Sequence, residues 1–585
     1  MHHRFLSLQS NVHLLGMQDA KIHRRRIRVL IGIIIFLGLC IIGRLFSLQV
    51  INQKSYKERA ERQYLTPASE SFNRGVIYFT KKDGTTVAAA TVATGFKLAI
   101  NPPKIKGVEE TYEALNAIVP IEKEEFLSRA KKTTDPYEEV AERMTTEQAE
   151  AITALALPGV SVYRQKWRFY PGAELAAKAI GFVSFKGDDL VGRYGLESYY
   201  NDVLSRGQNS FYVNFFAEIF ANVQSTLFKN KSATGDIVTT IEPTVESQLE
   251  STIADIQKKW GSDAVGGLIM DPNTGEIIAM AHVPTFDLNQ FGKEKDVSVY
   301  ANPFSQNVYE MGSIVKPLVM AAALDAKVVT PETTYFDQGF VKVQDRTFSN
   351  FDKKGRGKAT MQDVLSQSLN TGMVFVEQKM GKDIFKDYML SRYRIGEKTG
   401  VDLPSEVNGL VSGLKTANDV NYASASFGQG IATAPINIVR AYASMANGGY
   451  LVTPHLTKSI NQENGLTRTL EYKRSEAVLS PETTETITDM LVNVVDDGYK
   501  RGLPHYSVAA KTGTAQMAKP DGSGYYDDRN FHSLIGYFPA TNPRFVLYLF
   551  NNFPKGASFS SQTLADPFFE MVQFMTSYYE LTPDR

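Results

Sequence analysis

The stretch Tyr309–Ala326, YEMGSIVKPLVMAAALDA, pairs a serine and a lysine three residues apart at the edge of an apolar run. Proline is tolerated only in the first turn of a helix, because it lacks the N–H needed further in. Pro317 therefore sets Ser313 and Lys316 at, or just before, the start of a buried helix. Residues three apart share a face, so the lysine amine can approach the serine hydroxyl. A helix N-terminus adds positive potential where an oxyanion would develop. Burial should lower the Lys316 pKa, and a neutral amine beside a serine is a plausible general base. The pattern alone is weak, since Ser128-Arg129-Ala130-Lys131 matches it too. That copy lies in EEFLSRAKKTTD, a charged helical face where both side chains read as solvated.

The chain has 585 residues, which implies two to four domains. Aliphatic and aromatic residues make up 43% and charged residues 22%, a balance typical of packed cores. Lys+Arg and Asp+Glu both number 63, so bulk charge gives no nucleic-acid signal. Cys40 is the single cysteine, which excludes an internal disulfide and a Cys/His zinc cluster. Near the start, HRRRIR (His23–Arg28) precedes a run in which Arg44 is the only charge between Val29 and Ile51. Roughly 20 apolar residues span a bilayer. We read residues 29–51 as an uncleaved single-pass anchor, with Arg44 snorkelling to the outer interface. The basic flank keeps residues 1–28 cytoplasmic and sends the rest of the chain out. No small-x-small cleavage site follows the run.

Beyond the anchor, mixed strand and helix patterns suggest one irregular α+β module ending near Asn230. A new rhythm begins at GDIVTTIEPTVESQLESTIADIQKKW (Gly235–Trp260): a strand, Pro243, Thr244 as a helix cap, then Val245, Leu249, Ile253 and Ile256 on one helical face. VGGLIM and EIIAMA flank the turn DPNTG and read as a hairpin. HSLIGYFP and RFVLYLFNN read as further strands before a closing helix around Leu564–Tyr579. This predicts an antiparallel sheet covered by helices.

Two more short patterns matter. Ser368-Leu369-Asn370 lies in QDVLSQSLNTGMVFVEQ, a helix end, a polar loop and a second helix, so it can present a hydroxyl and an amide to a cleft. Lys-Thr-Gly occurs twice. Lys398-Thr399-Gly400 sits in turn-rich RIGEKTGVDLPSEVNG and reads as a loop. Lys511-Thr512-Gly513 sits in HYSVAAKTGTAQMA, which suits a strand edging a cleft, with Gly513 admitting a substrate backbone. Ser313, Ser368 and Lys511 follow one another at gaps of 55 and 143 residues.

Together these residues resemble the class B penicillin-binding proteins, which are peptidoglycan D,D-transpeptidases. GRLFSLQV resembles the end of that family's anchor. NRGVIY, YPGAELAAKAIGFV and GLESYYNDVLSRGQ resemble its pedestal, or dimerisation-type, module. GGLIMDPNTGEIIAMAHVPTFDLN, GSIVKP, SLNTGM, SFGQGIATAPINIVRAYASMANGG and KTGTAQ resemble its transpeptidase domain. FTKKDG after NRGVIY departs from the family's usual turn, and Leu369 stands where Ser or Asp is common. The implied architecture is α+β: a cytoplasmic tail (1–28), a transmembrane helix (29–51), an elongated pedestal (52–234) and a penicillin-binding domain (235–585).

The resemblance implies that Ser313 attacks the penultimate D-alanine carbonyl of a stem peptide and that Lys316 takes its proton. Ser368 and Asn370 relay the proton and orient substrate. Lys511 and Thr512, on the strand with Gly513 and Thr514, hold the terminal carboxylate. The backbone N–H groups of Ser313 and Thr514 form the oxyanion hole. No metal or cofactor is required, and β-lactams acylate Ser313. Implied partners are a multi-span glycosyltransferase of the shape, elongation, division and sporulation kind and other membrane proteins of the divisome or elongasome. The expected site of action is the outer face of a bacterial cytoplasmic membrane, in septal synthesis, with side-wall synthesis as the alternative. A β-lactamase or β-lactam sensor shares the motifs; the anchor and long N-terminal module argue against the first, the short N-terminus against the second. Tyr525, Tyr526, Asp527 and Asp528 read as a cleft rim or a solvated hairpin, His532 as structural, and Arg168 as a pedestal contact.

Overall fold

The structure, a computed structural model, describes residues 36–39, 41, 72–132, 134–187, 189–206, 234–498, 503–519 and 524–585. The chain divides into two compact units, residues 1–71 and 72–585. Residues 36–39 and 41 are helical. The rest of the expected anchor at 29–51 lies outside the described residues, among which no helix is long and apolar enough to cross a membrane. The expected end of the pedestal near Asn230 also lies outside them.

The second unit is built on two sheets. The first has seven strands: β1 (Ile77–Thr80), β2 (Thr86–Ile100), β3 (Glu138–Met144), β4 (Val160–Phe169), β5 (Gly235–Thr239), β8 (Thr457–Gln462) and β9 (Thr467–Thr469). Strand β5 pairs parallel with β1 on one side and antiparallel with β8 on the other. The sheet therefore runs unbroken across residue 234.

Three buried charges tie this region together. Glu197 accepts from Arg74 Nε at 2.6 Å and from Arg168 Nε at 2.5 Å. Arg74 also donates to the Glu197 carbonyl, and Arg168 to the Gly75 carbonyl, both at 2.8 Å. Burial opposes ionisation of Glu197, but the two guanidiniums hold its carboxyl below the usual carboxylate range. The pedestal contact read for Arg168 is this one.

The second sheet is wholly antiparallel, in the order β10 (Ala509–Ala518), β11 (Tyr525–Phe538), β12 (Phe545–Asn552), β6 (Ala264–Met270), β7 (Ile277–Val283). Side chains alternate across a strand. Leu547 and Leu549 of β12 face a core with Leu249, Ile253 and Phe568, from helices α1 (Pro243–Trp260) and α5 (Ser560–Tyr578). Val546, Tyr548 and Phe550 face a second core containing Leu318, Val319 and Met320 of α2 (Lys316–Asp325). Burial on both faces explains why VLYLF reads as a continuous apolar run. The cap of α1 differs from expectation. Glu242, not Thr244, accepts from the Val245 N–H at 2.7 Å, because Pro243 occupies the first turn. The hairpin reading of Tyr525–Asp528 holds: Tyr525–Phe538 form one 14-residue strand antiparallel to the preceding β10, with Tyr525 opposite Ala518 and Asp527 and Asp528 exposed.

Candidate active site

Ser313 lies in a 3₁₀ turn, Gly312–Val315, that runs directly into α2, and Pro317 sits in the first turn of that helix. Gly312 has φ +59°. Its N–H donates to the Gly428 carbonyl at 3.0 Å, and a Cβ on Gly428 would lie 2.1 Å from the Gly312 carbonyl oxygen. The loop SFGQG thus holds the serine turn from below by backbone contact that a side chain would break.

Lys316 is fully buried, with 0% exposure. Its Nζ donates to the Ser368 carbonyl at 2.6 Å and to Asn370 Oδ1 at 2.8 Å, and lies 3.2 Å from Ser368 Oγ. Lys511, on β10, places its Nζ 3.1 Å from the same Ser368 Oγ and 3.2 Å from the Thr512 carbonyl. One hydroxyl therefore bridges two buried amines. Burial, then the neighbouring Lys511, push Lys316 well below the ordinary lysine range. Burial pushes Lys511 down to about 8.

Ser368 and Asn370 come from the junction of α3 (Met361–Ser366) and α4 (Asn370–Met380). Ser368 has φ +56°, a left-handed conformation that costs a non-glycine residue energy and persists where its surroundings impose it. Leu369 is buried with 0% exposure, so the middle residue of this motif points into the core. Asn370 Nδ2 donates to the Ser349 carbonyl at 2.9 Å. Thr371 Oγ1 donates to buried Asp337 at 2.8 Å, and Asn350 Nδ2 donates to the same carboxylate. These bonds anchor the start of α4 to the segment 334–360.

Strand β10 is the edge strand of its sheet. The reason for Gly513 differs from the expected one. A Cβ there would meet Ser533 Oγ at 2.5 Å, the Met311 carbonyl at 2.8 Å and Ile314 Cγ2 at 3.0 Å. The missing side chain lets the strand pack against the turn that carries Ser313; it does not open space for substrate. The other Lys-Thr-Gly is a loop: the Thr399 N–H and Oγ1 and the Gly400 N–H all donate to Glu406.

Ser313, Ser368, Asn370, Thr512 and Thr514 line one cleft of about 400 Å³. The two lysines sit behind its wall. Gln429, Phe351, Phe427, Phe559, Ser560 and Ser561 line it as well, and none was singled out from sequence. Gln429 and Phe427 had a signal in SFGQG; Ser560 and Ser561 open the helix Ser560–Tyr578, and Phe351 and Phe559 come from loops with no motif of their own. Tyr525 OH donates to Glu310, at 3.0 Å from each carboxylate oxygen. His532 is structural: it is buried, its Nδ1 lies 3.0 Å from Thr563 Oγ1, and burial pushes its pKa down to about 4. Ser128 is exposed on the helix Lys123–Ala130, as its charged context implies.

Residues 265–572 match the penicillin binding protein transpeptidase domain, and residues 70–240 match the penicillin-binding protein dimerisation domain. Stage V sporulation protein D of Bacillus subtilis is 29% identical over 551 residues, covering 92% of this chain and 83% of its own length. Peptidoglycan D,D-transpeptidase FtsI of Buchnera aphidicola is 25% identical, covering 99% of both chains. The solved structure of penicillin binding protein 3 from Mycobacterium tuberculosis with aztreonam has a TM-score of 0.66 at 22% identity, covering 88% of this chain and 98% of that one. Its likeness carries the α+β fold. The clustered serine, lysines and asparagine fall inside the matched transpeptidase domain, and the chain belongs to the class B penicillin-binding proteins.

Proposed function

We infer that the chain is a peptidoglycan D,D-transpeptidase working through an acyl-enzyme on Ser313. The observation that carries this reading is the Ser368 hydroxyl between the Lys316 and Lys511 amines, on the wall of the cleft that Ser313 lines. Ser313 Oγ attacks the penultimate D-alanine carbonyl, and its proton passes to uncharged Lys316. The N–H groups of Ser313 and Thr514 stabilise the oxyanion, each donor contributing about 3 kcal/mol. Collapse breaks the peptide bond, and the proton returns through Lys316 and Ser368 to the departing D-alanine amine. An amine of a neighbouring stem then attacks the ester and forms the crosslink. Lys511, from behind the wall, and the hydroxyls of Thr512 and Thr514 hold the terminal carboxylate. A β-lactam presents a carboxylate and a reactive carbonyl to the same groups and leaves Ser313 acylated.

This division of labour sets a pH profile. Lys316 must be neutral and Lys511 charged. A lysine with a depressed pKa is charged below that value and loses its charge above it. Acylation by carboxylate-bearing substrates should therefore hold near neutrality and fall as pH rises through about 8, where Lys511 deprotonates. Stopped-flow acylation by benzylpenicillin across that range checks it; a rate still climbing at pH 10 would contradict these roles.

The finer assignments are also ours. Residues 1–28 are a cytoplasmic tail, 29–51 a single-pass anchor, 52–234 the pedestal and 235–585 the exported transpeptidase domain. The apolar run at 29–51 and its basic flank support the topology. We assign the enzyme to septal synthesis beside a multi-span glycosyltransferase, with side-wall synthesis as the alternative. A fluorescent fusion gathered at the division site supports this; even labelling of the side wall refutes it.

A further inference from the structure

Resting on the acyl-enzyme reading, we propose that Phe351 and Phe559 form an aromatic gate that keeps bulk water from the Ser313 ester and so steers the acyl group towards the acceptor amine. Large apolar side chains are usually buried, yet Phe351 is 59% and Phe559 45% exposed. Both line the cleft, and their rings meet edge to face with centroids 5.8 Å apart. Such contacts are weak enough to open thermally.

The two rings are held by different segments that flank the reacting groups. Phe351 follows Asn350, which holds Asp337 and Thr371, and stands two residues after Ser349, whose carbonyl receives Asn370 Nδ2. Phe559 precedes Ser560, whose N–H donates to Thr514 Oγ1 at 3.1 Å and whose Oγ donates to the Ser533 carbonyl at 2.6 Å. The Phe559 N–H itself donates to Gln562 Oε1 at 3.0 Å. One ring is thus fixed beside the Ser368–Asn370 loop and the other beside the Lys511–Thr514 strand. Their contact closes the side of the cleft between them.

The acyl-enzyme has two fates. With an amine, a C–N bond forms, the C–Oγ bond of Ser313 breaks, and the amine proton passes to Oγ. With water, the hydroxyl oxygen bonds to the acyl carbon, the same C–Oγ bond breaks, and the water proton passes to Oγ. The bond broken and the proton acceptor are identical. Partition therefore depends on which nucleophile reaches the carbonyl, and water is the more abundant by far. An apolar cover that a peptide can part and water cannot hydrate across favours the amine.

The test uses the full chain, with Phe351→Ala, Phe559→Ala and the double variant. Lifetimes of the benzylpenicilloyl-enzyme are measured, together with the ratio of aminolysis to hydrolysis for a D-alanyl thioester donor with D-alanine as acceptor. Each single change should speed hydrolytic deacylation about tenfold, and the double variant little more, because either ring alone leaves the gate open. Acylation by benzylpenicillin should change less than about threefold, and Phe559→Tyr, which keeps the ring contact, should behave as wild type. Unchanged lifetimes and ratios in acylated variants overturn the gate and leave the transpeptidase reading standing. So does strict additivity of the single effects. A wild-type protein that is not acylated at all overturns the transpeptidase reading itself. Both rings are largely exposed, so thermal unfolding should stay near wild type. If the alanine variants nevertheless lose fold, Phe351→Leu and Phe559→Leu give the same readout, and normal deacylation in those overturns the gate.

Discussion

Lys316→Met should slow acylation of Ser313 by on the order of 10³-fold, the usual worth of a positioned general base. Methionine is close to lysine in length and removes only the amine. The site loses the group that sits between the Ser368 carbonyl, Ser368 Oγ and Asn370 Oδ1. It also leaves the Ser368 carbonyl and Asn370 Oδ1 short of a donor, at a cost of about 1–3 kcal/mol each if no water enters, while Ser368 Oγ keeps the Lys511 amine. A fall in the acylation rate constant with the folded fraction intact, read by circular dichroism, separates the chemical loss from a structural one. A loss below about tenfold would remove Lys316 from the proton path.

The second large effect is on stability. Glu197→Ala should destabilise the protein by about 3–5 kcal/mol, because it strands the guanidiniums of Arg74 and Arg168 in the interior. Arg74 keeps its bonds to the Glu197 carbonyl, Asn201 Oδ1 and Ser205 Oγ, and Arg168 keeps its bond to the Gly75 carbonyl, but neither keeps a counter-charge. Glu197 has a depressed folded pKa, so its contribution is present above the ordinary carboxylate range and is lost as pH falls below it. Urea unfolding followed by hydrogen exchange at residues 72–80 and 160–200 locates the loss. An unchanged midpoint at neutral pH would mean the charges are not paired as described.

These arrangements differ in how much of them the sequence discloses. The positions of Ser313 and Lys316 were legible because Pro317 limits where the helix can begin. The choice between the two Lys-Thr-Gly copies was legible from the turn residues around Lys398 and the small and β-branched ones around Lys511. The two-faced burial of β12 was foreshadowed by its unbroken apolar run. Other features needed the third dimension. The Arg74–Glu197–Arg168 cluster joins residues up to 123 positions apart, and nothing local marks them as partners. Gly513 looked like a concession to substrate until Ser533 and Met311 were seen to fill the space its side chain would take. Phe351 and Phe559 meet across a cleft formed by segments far apart in the chain, and aromatic residues in loops carry no pattern of their own. The strained backbone of Ser368 left no mark in composition either.

The most direct measurement is where a β-lactam becomes attached. After reaction with a fluorescent penicillin and proteolysis, the mass of the penicilloyl group should lie on the peptide that contains Ser313, and Ser313→Ala should abolish labelling while the protein stays folded. Label retained in that variant, or found on Ser368, would contradict acyl transfer through Ser313.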